Sequence, residues 1–569
     1  MSKRVRRLDC RPRDRALATP PVDVEGVVLV MDVQLRRNQG FPWTHRGGTS
    51  VKGFIHATGT VLRDESLCSH FGSAKPIDEF ERLFASANGS FCVVAEIQGA
   101  IVAAVDRVRS FPLFYSAPLN LITDDLTKAP ALGALDVDKR AVEQFLLSGH
   151  TVGPRTLLEG AQQLQAGQVL VTGPAGTEVR YYYRHQRTEA GASYDEPPHD
   201  DLVALSDRSF RRLIDSCDGR QIVLSLSGGY DSRYIAVMLK RLEYDNVMCF
   251  SYGRPESFEV QTSRRVAAKL GFRWEFVPYT RDRWRALVAD DRYLQFASSL
   301  ASLPSCQGYP SVAHLVTHGA VESDAVFVPG YCGDLLGGSY VPTELAGSNS
   351  EGYLREPIAR YIVRRHFPLR GPNAGSVALV EDVEKEVAVD ARPSIRSYIS
   401  TNEEFFTRHK VARFVVNAVR EYEYFGHQWR MPLWDTELTD FWYAVDDAHR
   451  VDSTMHRGFL QSVFRQYGVH YAKGGTAELQ KRVSRGRISG VAYRILKPAL
   501  KAISRRFLRN RIADFNAFSE FELLLVSHGR QLASIHATNV NTRFAAWFVN
   551  QRRGEFFAEH SASTILREQ

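Results

Sequence analysis

The stretch Gln221–Lys240, QIVLSLSGGYDSRYIAVMLK, decides the fold of the larger part of this 569-residue chain. It opens with the apolar run Ile222–Leu224, which is too short for a helix and is bounded by small residues. That pattern predicts a buried strand of a parallel sheet. Ser225–Ser232 then predicts a turn. Apolar residues at helical spacing follow, and they predict a helix whose buried side carries Tyr234, Ile235, Val237, Met238 and Leu239.

A strand, a glycine turn and a helix N-terminus direct backbone N–H groups at an anion, which is typical of a phosphate site. Gly228 and Gly229 let the backbone approach closely, and Ser227 and Ser232 add hydroxyl donors. Because Asp231 would repel phosphate, its place in the turn predicts that it holds Mg²⁺ against the phosphate. The turn lacks G-x-x-x-x-G-K-[ST] and contains no lysine, and G-x-S-x-G is absent. These absences disfavour the common nucleoside-triphosphate loop and a serine hydrolase.

Length and composition predict a globular protein of at least two domains, with 44% hydrophobic and 24% charged residues. There is no uninterrupted apolar twenty-mer, so no membrane span is expected. Seven cysteines are scattered without a C-x-x-C pair. This argues against a disulfide framework and a structural zinc site, and it favours a reduced cytoplasm. The net charge of +8 is modest for this length, so no nucleic-acid partner is expected.

The first 180 residues predict many short strands. The runs Phe91–Ile97 and Ala100–Val105 flank Gln98-Gly99, which is a hairpin signal. A helix is predicted over Asp138–Leu147. After Lys240 the pattern changes to alternating strands and helices, with strands at Asn246–Gly253, Trp274–Val277 and Ala325–Val328 and a helix at Glu259–Gly271. Alternation of this kind predicts a parallel sheet covered on both faces, with ligands beyond the carboxyl ends of its strands.

Several runs, in order, resemble a known family. Ser227–Ser232 (S-G-G-Y-D-S) resembles the pyrophosphate-binding loop of the ATP-pyrophosphatase superfamily. Asn88–Phe91, Asp106–Tyr115 and Thr156–Gly167 resemble the glutaminase domain of class B asparagine synthetases. Pro329–Gly338 is similar to that family's "SG[DE]GxDExxGG" segment, after a one-residue deletion. His427–Leu438 resembles its "xxxRxPFLDxEL" segment, with Arg430 and Asp435 as polar anchors.

The resemblance implies an α/β and α+β protein of two domains. It implies an N-terminal Ntn-hydrolase-like αββα sandwich and a C-terminal parallel-sheet PP-loop ATP-pyrophosphatase domain of the adenine nucleotide alpha hydrolase-like type. The expected boundaries are a basic tail at 1–20, a glutaminase-like domain at 21–190, a linker at 191–205, an asparagine synthetase-like domain at 200–484 and a helical extension at 485–569. In that extension Arg485–Arg511 predicts a helix with a solvated basic face, and contact with a membrane surface is the weaker alternative.

The glutaminase-like part departs from the family. There, catalysis starts from a cysteine exposed at the N-terminus, whose own α-amine serves as base. Here residue 2 is Ser, a basic tail precedes the first strand, and Cys10 lies in a charged segment. The family's glutamine-holding R-G-P-D loop is reduced to His45–Gly48. The sequence therefore predicts a domain that kept its scaffold and lost glutamine hydrolysis, with Ser2 as a weaker alternative nucleophile.

Site residues follow from the resemblance as expectations. Asp231 and Asp334 are expected to hold Mg²⁺. A lysine that contacts the adenylate is expected, and Lys473 and Lys481 are both candidates beside Asp231 for the catalytic role. ATP is expected to bind Leu226, Ser227, Gly228, Gly229, Ser232, Phe250, Tyr252 and Gly330.

Three residues differ from the family around the predicted site. Tyr230 and Arg233 flank the loop where a small aliphatic residue and Ser are common, and Tyr331 stands where the family has an acid near the attacking nitrogen. A tyrosine ring offers a stacking face, and arginine could bind an additional anion. These residues predict an acceptor larger than aspartate. The alternative is that Tyr230 points into the core and Arg233 lies in solvent along its helix.

The resulting hypothesis is an AMP-forming ligase. A small-molecule or peptide carboxylate, such as a sugar uronic acid, would be adenylated with release of pyrophosphate. Free ammonia, a separate ammonia-supplying subunit or an amine on the substrate would then displace AMP. β-Lactam synthetases and lasso-peptide cyclases resemble this plan. The alternatives are a glutamine-hydrolysing asparagine synthetase and a non-catalytic ATP-binding regulatory remnant. A tRNA sulfurtransferase would need cysteine pairs that this sequence lacks. A homodimer is compatible with the pattern.

Overall fold

The computed structural model describes residues 31–72, 76–130, 132–187, 198–341, 354, 356–369, 376–387, 394–471, 514, 516–528 and 540–551. Several sequence predictions lie outside these residues: the tail at 1–20, Cys10, most of the linker, both lysine candidates Lys473 and Lys481, and the basic segment 485–511. No helix in the described ranges is both long enough and apolar enough to cross a membrane.

Residues 31–187 form two sheets. Their strands are β1 (Asp32–Gln34), β2 (Thr44–Arg46), β3 (Thr49–Ala57), β4 (Thr60–Arg63), β5 (Asn88–Ile97), β6 (Ala100–Val105), β7 (Phe114–Ser116), β8 (Leu121–Thr123), β9 (Gln162–Gln163), β10 (Gln168–Gly173) and β11 (Gly176–Tyr181). The larger sheet has the order β11-β10-β6-β5-β3-β2, with β4 paired to β3. The smaller sheet has the order β1-β8-β7-β9.

Helices cover the outer face of the larger sheet. Helices α1 (Asp64–Gly72) and α2 (Ile77–Ser86) pack there, with Phe71 and Phe84 against Val93. Alternate residues of the same strands, such as Val94, point to the other face and join a core shared with the smaller sheet. Short 3₁₀ turns follow at Leu126–Lys128 and Leu132–Ala134.

Two local predictions in this region are confirmed. Gln98 and Gly99 take φ values of 51° and 80°, so they form the tight turn that joins β5 to β6. Helix α3 (Lys139–Ser148) begins after Asp138, whose side chain accepts from the N–H of Ala141. The helix ends at Gly149, which has φ of 83°.

The predicted parallel sheet is confirmed and has five strands. They are β12 (Ile222–Ser225), β13 (Val247–Gly253), β14 (Arg273–Pro278), β15 (Val326–Val328) and β16 (Gln428–Trp429). Their order is β14-β13-β12-β15-β16, and every neighbouring pair is parallel. Its helices and those leading to it are α4 (His199–Cys217), α5 (Tyr230–Arg241), α6 (Phe258–Leu270), α7 (Arg281–Ala289), α8 (Asp291–Ser298), α9 (Tyr309–Thr317) and α10 (Gly333–Leu336).

The predicted linker ends earlier than expected. It was expected to reach residue 205, but α4 begins at His199. Pro198 is its N-cap, and Asp200 and Asp201 lie in the first turn, where acidic side chains favour a helix start. Leu202 and Leu205 are buried in the core beside β12, so this segment belongs to the packed domain.

The remaining elements are helical. They are α11 (Ile358–His366), α12 (Val377–Glu386), α13 (Ile395–Phe405), a π-helix (Phe406–Val415), a 3₁₀ turn (Val416–Val419), α14 (Arg420–Tyr424), a 3₁₀ turn (Pro432–Trp434), α15 (Thr436–Ala444), α16 (Asp447–Arg450), a 3₁₀ turn (Val451–Ser453), α17 (Thr454–Gln466), α18 (Phe518–Ser527) and α19 (Val540–Gln551). Residues 395–424 form one helical run whose winding changes along its length.

The two regions share polar anchors and one hydrophobic core. Asp435 caps α15 and accepts two hydrogen bonds from Arg212, at 2.7 and 2.8 Å. The Asn88 side chain, from the first region, donates to Asp435 at 2.9 Å. Arg430 lies 4.1 Å above the ring of Phe54, also from the first region. These contacts give Arg430 and Asp435 a structural role, which holds the two regions together.

Candidate active site

The Ser227–Ser232 turn is held in shape by its own hydroxyls. The Ser227 N–H donates to Oγ of Ser232 at 3.1 Å, and the Gly229 N–H donates to Oγ of Ser227 at 3.1 Å. Gly229 is the N-cap of α5, and no side chain among the described residues caps the helix there. A helix N-terminus that follows such a turn is an arrangement that commonly binds anions, so the geometry here suits the phosphate site expected from the sequence.

Two carboxylates lie close to this turn. The Asp231 carboxylate packs so tightly against Gly333 that a Cβ there would collide with it, and Asp334 is the next residue. Burial raises the pKa of Tyr340 to about 12, and the carboxylates of Asp334 and Asp231 add to this effect. The Asp231 and Asp334 carboxylates therefore both lie close to the Tyr340 side chain.

This pair fits Mg²⁺ bound to phosphates, because such an ion usually takes only one or two protein carboxylates and completes its shell with phosphate oxygens and water. A dedicated protein cage is a poorer fit, since the described residues contain no cluster of three or more His, Cys, Asp or Glu that could hold a metal ion. Asp231 and Asp334 can thus hold Mg²⁺ only together with a phosphate ligand.

A cavity of about 470 Å³ opens at the carboxyl ends of the parallel strands. This volume is in the range of small-molecule sites. Six of the predicted ATP-binding residues line it, together with both carboxylates: Ser227, Gly229, Ser232, Phe250, Tyr252 and Gly330. Two predicted residues do not. The Leu226 side chain is fully buried in the core, and Gly228 packs against Glu259 and Thr262 of α6.

Tyrosine rings from outside the phosphate turn also line the cavity. They are Tyr252, Tyr331 and Tyr422. Tyr252 stacks on Tyr279 with ring centroids 4.8 Å apart, and its hydroxyl accepts from Nε2 of Gln307 at 3.0 Å. Burial raises the pKa of Tyr331 well above its ordinary value, so its hydroxyl stays protonated.

The sequence did not reveal Glu421 as a site residue. Its side chain is 1% exposed and lines the cavity beside Tyr331 and Tyr422. Oε2 has no hydrogen-bond partner among the described residues, and the carboxylate leaves no room for a Cβ on Gly308. Burial raises the pKa of Glu421 to about 8. A carboxyl with such a pKa can exchange a proton near neutral pH, which suits a general base.

Arg233 does neither of the two things expected from the sequence. It is 1% exposed, so it does not lie in solvent. Its guanidinium donates to the carbonyls of Gly228, Val469 and Tyr471, so it is not free to bind an additional anion. Arg233 instead links the phosphate turn, at Gly228, to the chain at Val469 and Tyr471. For Tyr230, each of the two predicted positions is partly right. Its side chain lines the cavity, and its ring also stacks on Phe464 of the core.

The runs that resemble a glutamine site are engaged in other contacts. His45–Gly48 forms the exposed tip of the β2–β3 hairpin, with φ of 56° at Gly47 and 75° at Gly48. Arg46 there pairs with Glu65 at 3.1 Å on the surface. The Asn88 side chain donates to Asp435 and accepts from the N–H of Thr436.

Comparison with known proteins gives one informative match. No curated protein matches the chain. Two matching solved structures are glutamine phosphoribosylpyrophosphate amidotransferase from B. subtilis complexed with ADP and GMP, and a protein described as the allosteric regulatory enzyme of purine biosynthesis. Each is 10% identical and covers 50% of this chain, with 63% and 56% of the other chain and TM-scores of 0.16 and 0.17. The chain thus spans less than two thirds of either, and these matches carry no argument.

The family model described as asparagine synthase matches residues 217–472. That range is less than half of the chain, but it contains the phosphate turn, both carboxylates, the tyrosine rings and Glu421. The match supports the resemblance of this part of the chain to that family, and residues 217–472 are therefore asparagine synthase-like.

Proposed function

We propose that the chain is an ATP-dependent amide-forming ligase that adenylates a carboxylate and releases AMP and pyrophosphate. The family match supports such a ligase in general. The observation that carries the AMP-forming proposal is that the phosphate turn, Asp231 and Asp334 line one cavity together. A carboxylate oxygen of the substrate attacks the α-phosphorus of ATP. The bond to the β-phosphate then breaks, and pyrophosphate leaves toward the turn.

The turn would stabilise the departing pyrophosphate directly, and the two carboxylates would do so only through Mg²⁺. The N–H groups at the start of α5 and the hydroxyls of Ser227 and Ser232 are fixed before reaction, so they cost little reorganisation when negative charge develops. Asp231 and Asp334 would hold Mg²⁺, which supplies positive charge to the phosphate oxygens when it is bound. Gly330 approaches the backbone of Ser232 so closely that any Cβ would press on its N–H.

Glu421 is the proposed base for the nitrogen nucleophile. The nitrogen attacks the acyl carbon, the bond from that carbon to the AMP oxygen breaks, and the excess proton passes to the ionised Glu421 carboxylate. Tyr331, protonated and adjacent, supplies a hydroxyl at the position where the family has an acid. The tyrosine rings of the cavity would hold the adenine and the acceptor, since aromatic faces stack on flat rings.

For the acceptor, we propose a small-molecule or peptide carboxylate larger than aspartate. The support is the cavity volume of about 470 Å³ and the four tyrosines that line it, Tyr230, Tyr252, Tyr331 and Tyr422. We also propose that the first region does not hydrolyse glutamine, since its glutamine-site runs serve a surface hairpin and the contact with Asp435. Nitrogen would then come from ammonia, a separate subunit or an amine. A reducing cytoplasm is the proposed location, which the six free, buried cysteines of the described residues support.

The products of turnover test the reaction. Purified protein with ATP, Mg²⁺, ammonia and a panel of aspartate, uronic acids and peptides is expected to form AMP and pyrophosphate, measured by chromatography. Formation of ADP would contradict the proposal. A parallel assay for glutamate release from glutamine is expected to be silent. Glutamate release would favour a glutamine-hydrolysing asparagine synthetase instead, and ATP binding without turnover of any carboxylate would favour a regulatory protein.

Replacement of Glu421 is expected to separate the two half-reactions. Glu421→Gln should retain ATP–pyrophosphate exchange but lower amide formation by about 10²–10⁴-fold, which is the usual contribution of a general base. In the wild type, amide formation with hydroxylamine should rise with pH and level off above about 8, because Glu421 must be ionised. Hydroxylamine is already neutral below this range, so it does not mask the titration. The exposed Glu256→Gln variant is the matched control.

Protein stability gives a second readout for Glu421. Its folded-state pKa lies above the ordinary glutamate pKa of 4.5, so the unfolded chain loses this proton first. Wild-type stability should therefore fall relative to Glu421→Gln as pH rises from 4.5 to about 8, and the difference should stay constant above that. A pH-independent difference in melting temperature, together with an unchanged rate profile, would contradict the role.

A further inference from the structure

The C-terminal helices α18 and α19 lie against both regions of the molecule. Helix α18 packs on α7, and α19 packs on α3 of the first region, where Phe548 meets Phe145 with ring centroids 5.8 Å apart. Phe521, Leu525 and Phe544 are fully buried in the shared core. Neither helix lines the cavity, so any influence on it must pass through other residues.

A continuous stack of rings connects α18 to the cavity wall. Phe521 stacks on Trp284 with centroids 4.7 Å apart and planes 18° apart. Trp284 meets the ring of Tyr279 edge-on at 5.2 Å, and Tyr279 stacks on Tyr252 at 4.8 Å. Tyr252 is the ring that faces the cavity. Tyr279 also donates its hydroxyl to the carbonyl of Gln307, a second cavity residue.

An ion pair ties the same strand end to the C-terminal segment. Arg254 directly follows β13, the strand that carries Phe250 and Tyr252. Its guanidinium pairs with the Asp514 carboxylate at 3.1 Å and also donates to the Asp514 carbonyl. Asp514 is 9% exposed and accepts from the hydroxyl and N–H of Ser519 in α18. Two separate contacts therefore converge on one wall of the cavity.

We propose that α18 is a positioning element that sets the affinity of the cavity for ATP by fixing Tyr252, both through the ring stack and through the Asp514–Arg254 ion pair at the end of β13. A ring that is packed on its buried face cannot tilt, whereas loss of Phe521 would leave Trp284 and then Tyr279 free to shift. Phe521 and Asp514 touch no ligand, so they are positioning residues rather than catalytic ones. This inference rests on the proposed function only in taking ATP as the ligand.

Titration calorimetry of the full chain with ATP and Mg²⁺, without any acceptor, tests the proposal. Phe521→Leu keeps an apolar side chain but removes the stack, and it should weaken ATP binding about threefold to tenfold, which is the worth of an aromatic pair. Leu523→Ala on the same helix is the matched control. Leu523 is 58% exposed, so its replacement should leave the Kd unchanged. An equal effect of both variants, or of neither, would overturn the proposal.

A double-mutant cycle separates positioning from general loss of stability. In a Tyr252→Leu background, Phe521→Leu should cause no further loss of ATP affinity, because its influence passes through Tyr252. Additive losses would overturn the proposal. If Phe521→Leu does not fold, Asp514→Asn takes its place with the same expected weakening and the same overturning result. Absence of ATP binding by the wild type would instead refute the proposed function, so the two failures are distinct.

Discussion

Asp231→Asn is expected to lower AMP formation by about 10²–10³-fold or more, which is the usual cost of removing one preorganised group that stabilises transition-state charge. The substitution keeps the size of the side chain but removes the negative charge that would hold Mg²⁺ beside the phosphate turn. The fold should survive, because Asp231 is only partly buried at the start of α5. The measurements are the rate of AMP release with a carboxylate substrate that the wild-type protein converts, and the melting temperature.

The matched control for this prediction is Asp245→Asn. Asp245 also lies near α5 and forms an ion pair, with Lys240 at 3.5 Å, but its side chain is 79% exposed and far from the cavity lining. The control should keep its full rate. Retention of wild-type activity by Asp231→Asn, at an unchanged Mg²⁺ requirement, would show that Asp231 does not hold the metal.

Glu403→Gln is expected to destabilise the protein by about 3–5 kcal/mol, the usual cost of removing one partner from a buried ion pair. Glu403 and Arg450 both have fully buried side chains, and two hydrogen bonds of 2.8 Å join them. Arg187 approaches the same carboxylate at 3.6 Å. The variant would leave a buried guanidinium without its counter-charge. A large fall in the thermal or urea midpoint is the expected measurement.

Asp282→Asn is the control for this second prediction. Asp282 also forms an ion pair, with Arg285, but its side chain is 82% exposed. Exposed pairs contribute about 0–1 kcal/mol, so the midpoint should hardly move. Equal midpoints for the two variants would mean that Glu403 is compensated by water or by rearrangement of Arg450.

The phosphate site was predictable because its signals are local. Strand β12, the turn and α5 occupy one stretch of 20 residues, and each signal there concerns neighbours in sequence. The parallel sheet was predictable from alternation alone. Asp334 was paired with Asp231 through the resemblance of Pro329–Gly338 to a family segment, and its place after a predicted strand agrees with a site at the carboxyl edge of the sheet.

Glu421 could not be found in this way. It lies in Arg-Glu-Tyr-Glu-Tyr, a charged run that by composition reads as a solvated helix face, yet both of its acids are buried. Only the packing of α14 against β16 and α8 brings Glu421 to the cavity. Arg233 was misread for a similar reason. Its partners are backbone carbonyls near residues 469 and 471, more than 230 positions away, and no side-chain pattern marks a carbonyl.

Because the winding changes along residues 395–424, the direction in which Glu421 points depends on the number of residues that precede it in this helical run. Glu421 stands in the first turn after the π-helix and its 3₁₀ continuation, and these place it on the cavity side. Each residue of an α-helix turns the chain by about 100°. One residue inserted into or deleted from Phe406–Val415 would therefore rotate the carboxylate away from the cavity, whereas many substitutions there would not. In relatives that use this base, the amino-acid sequence of the segment equivalent to Phe406–Val415 should vary, but its number of residues should stay the same.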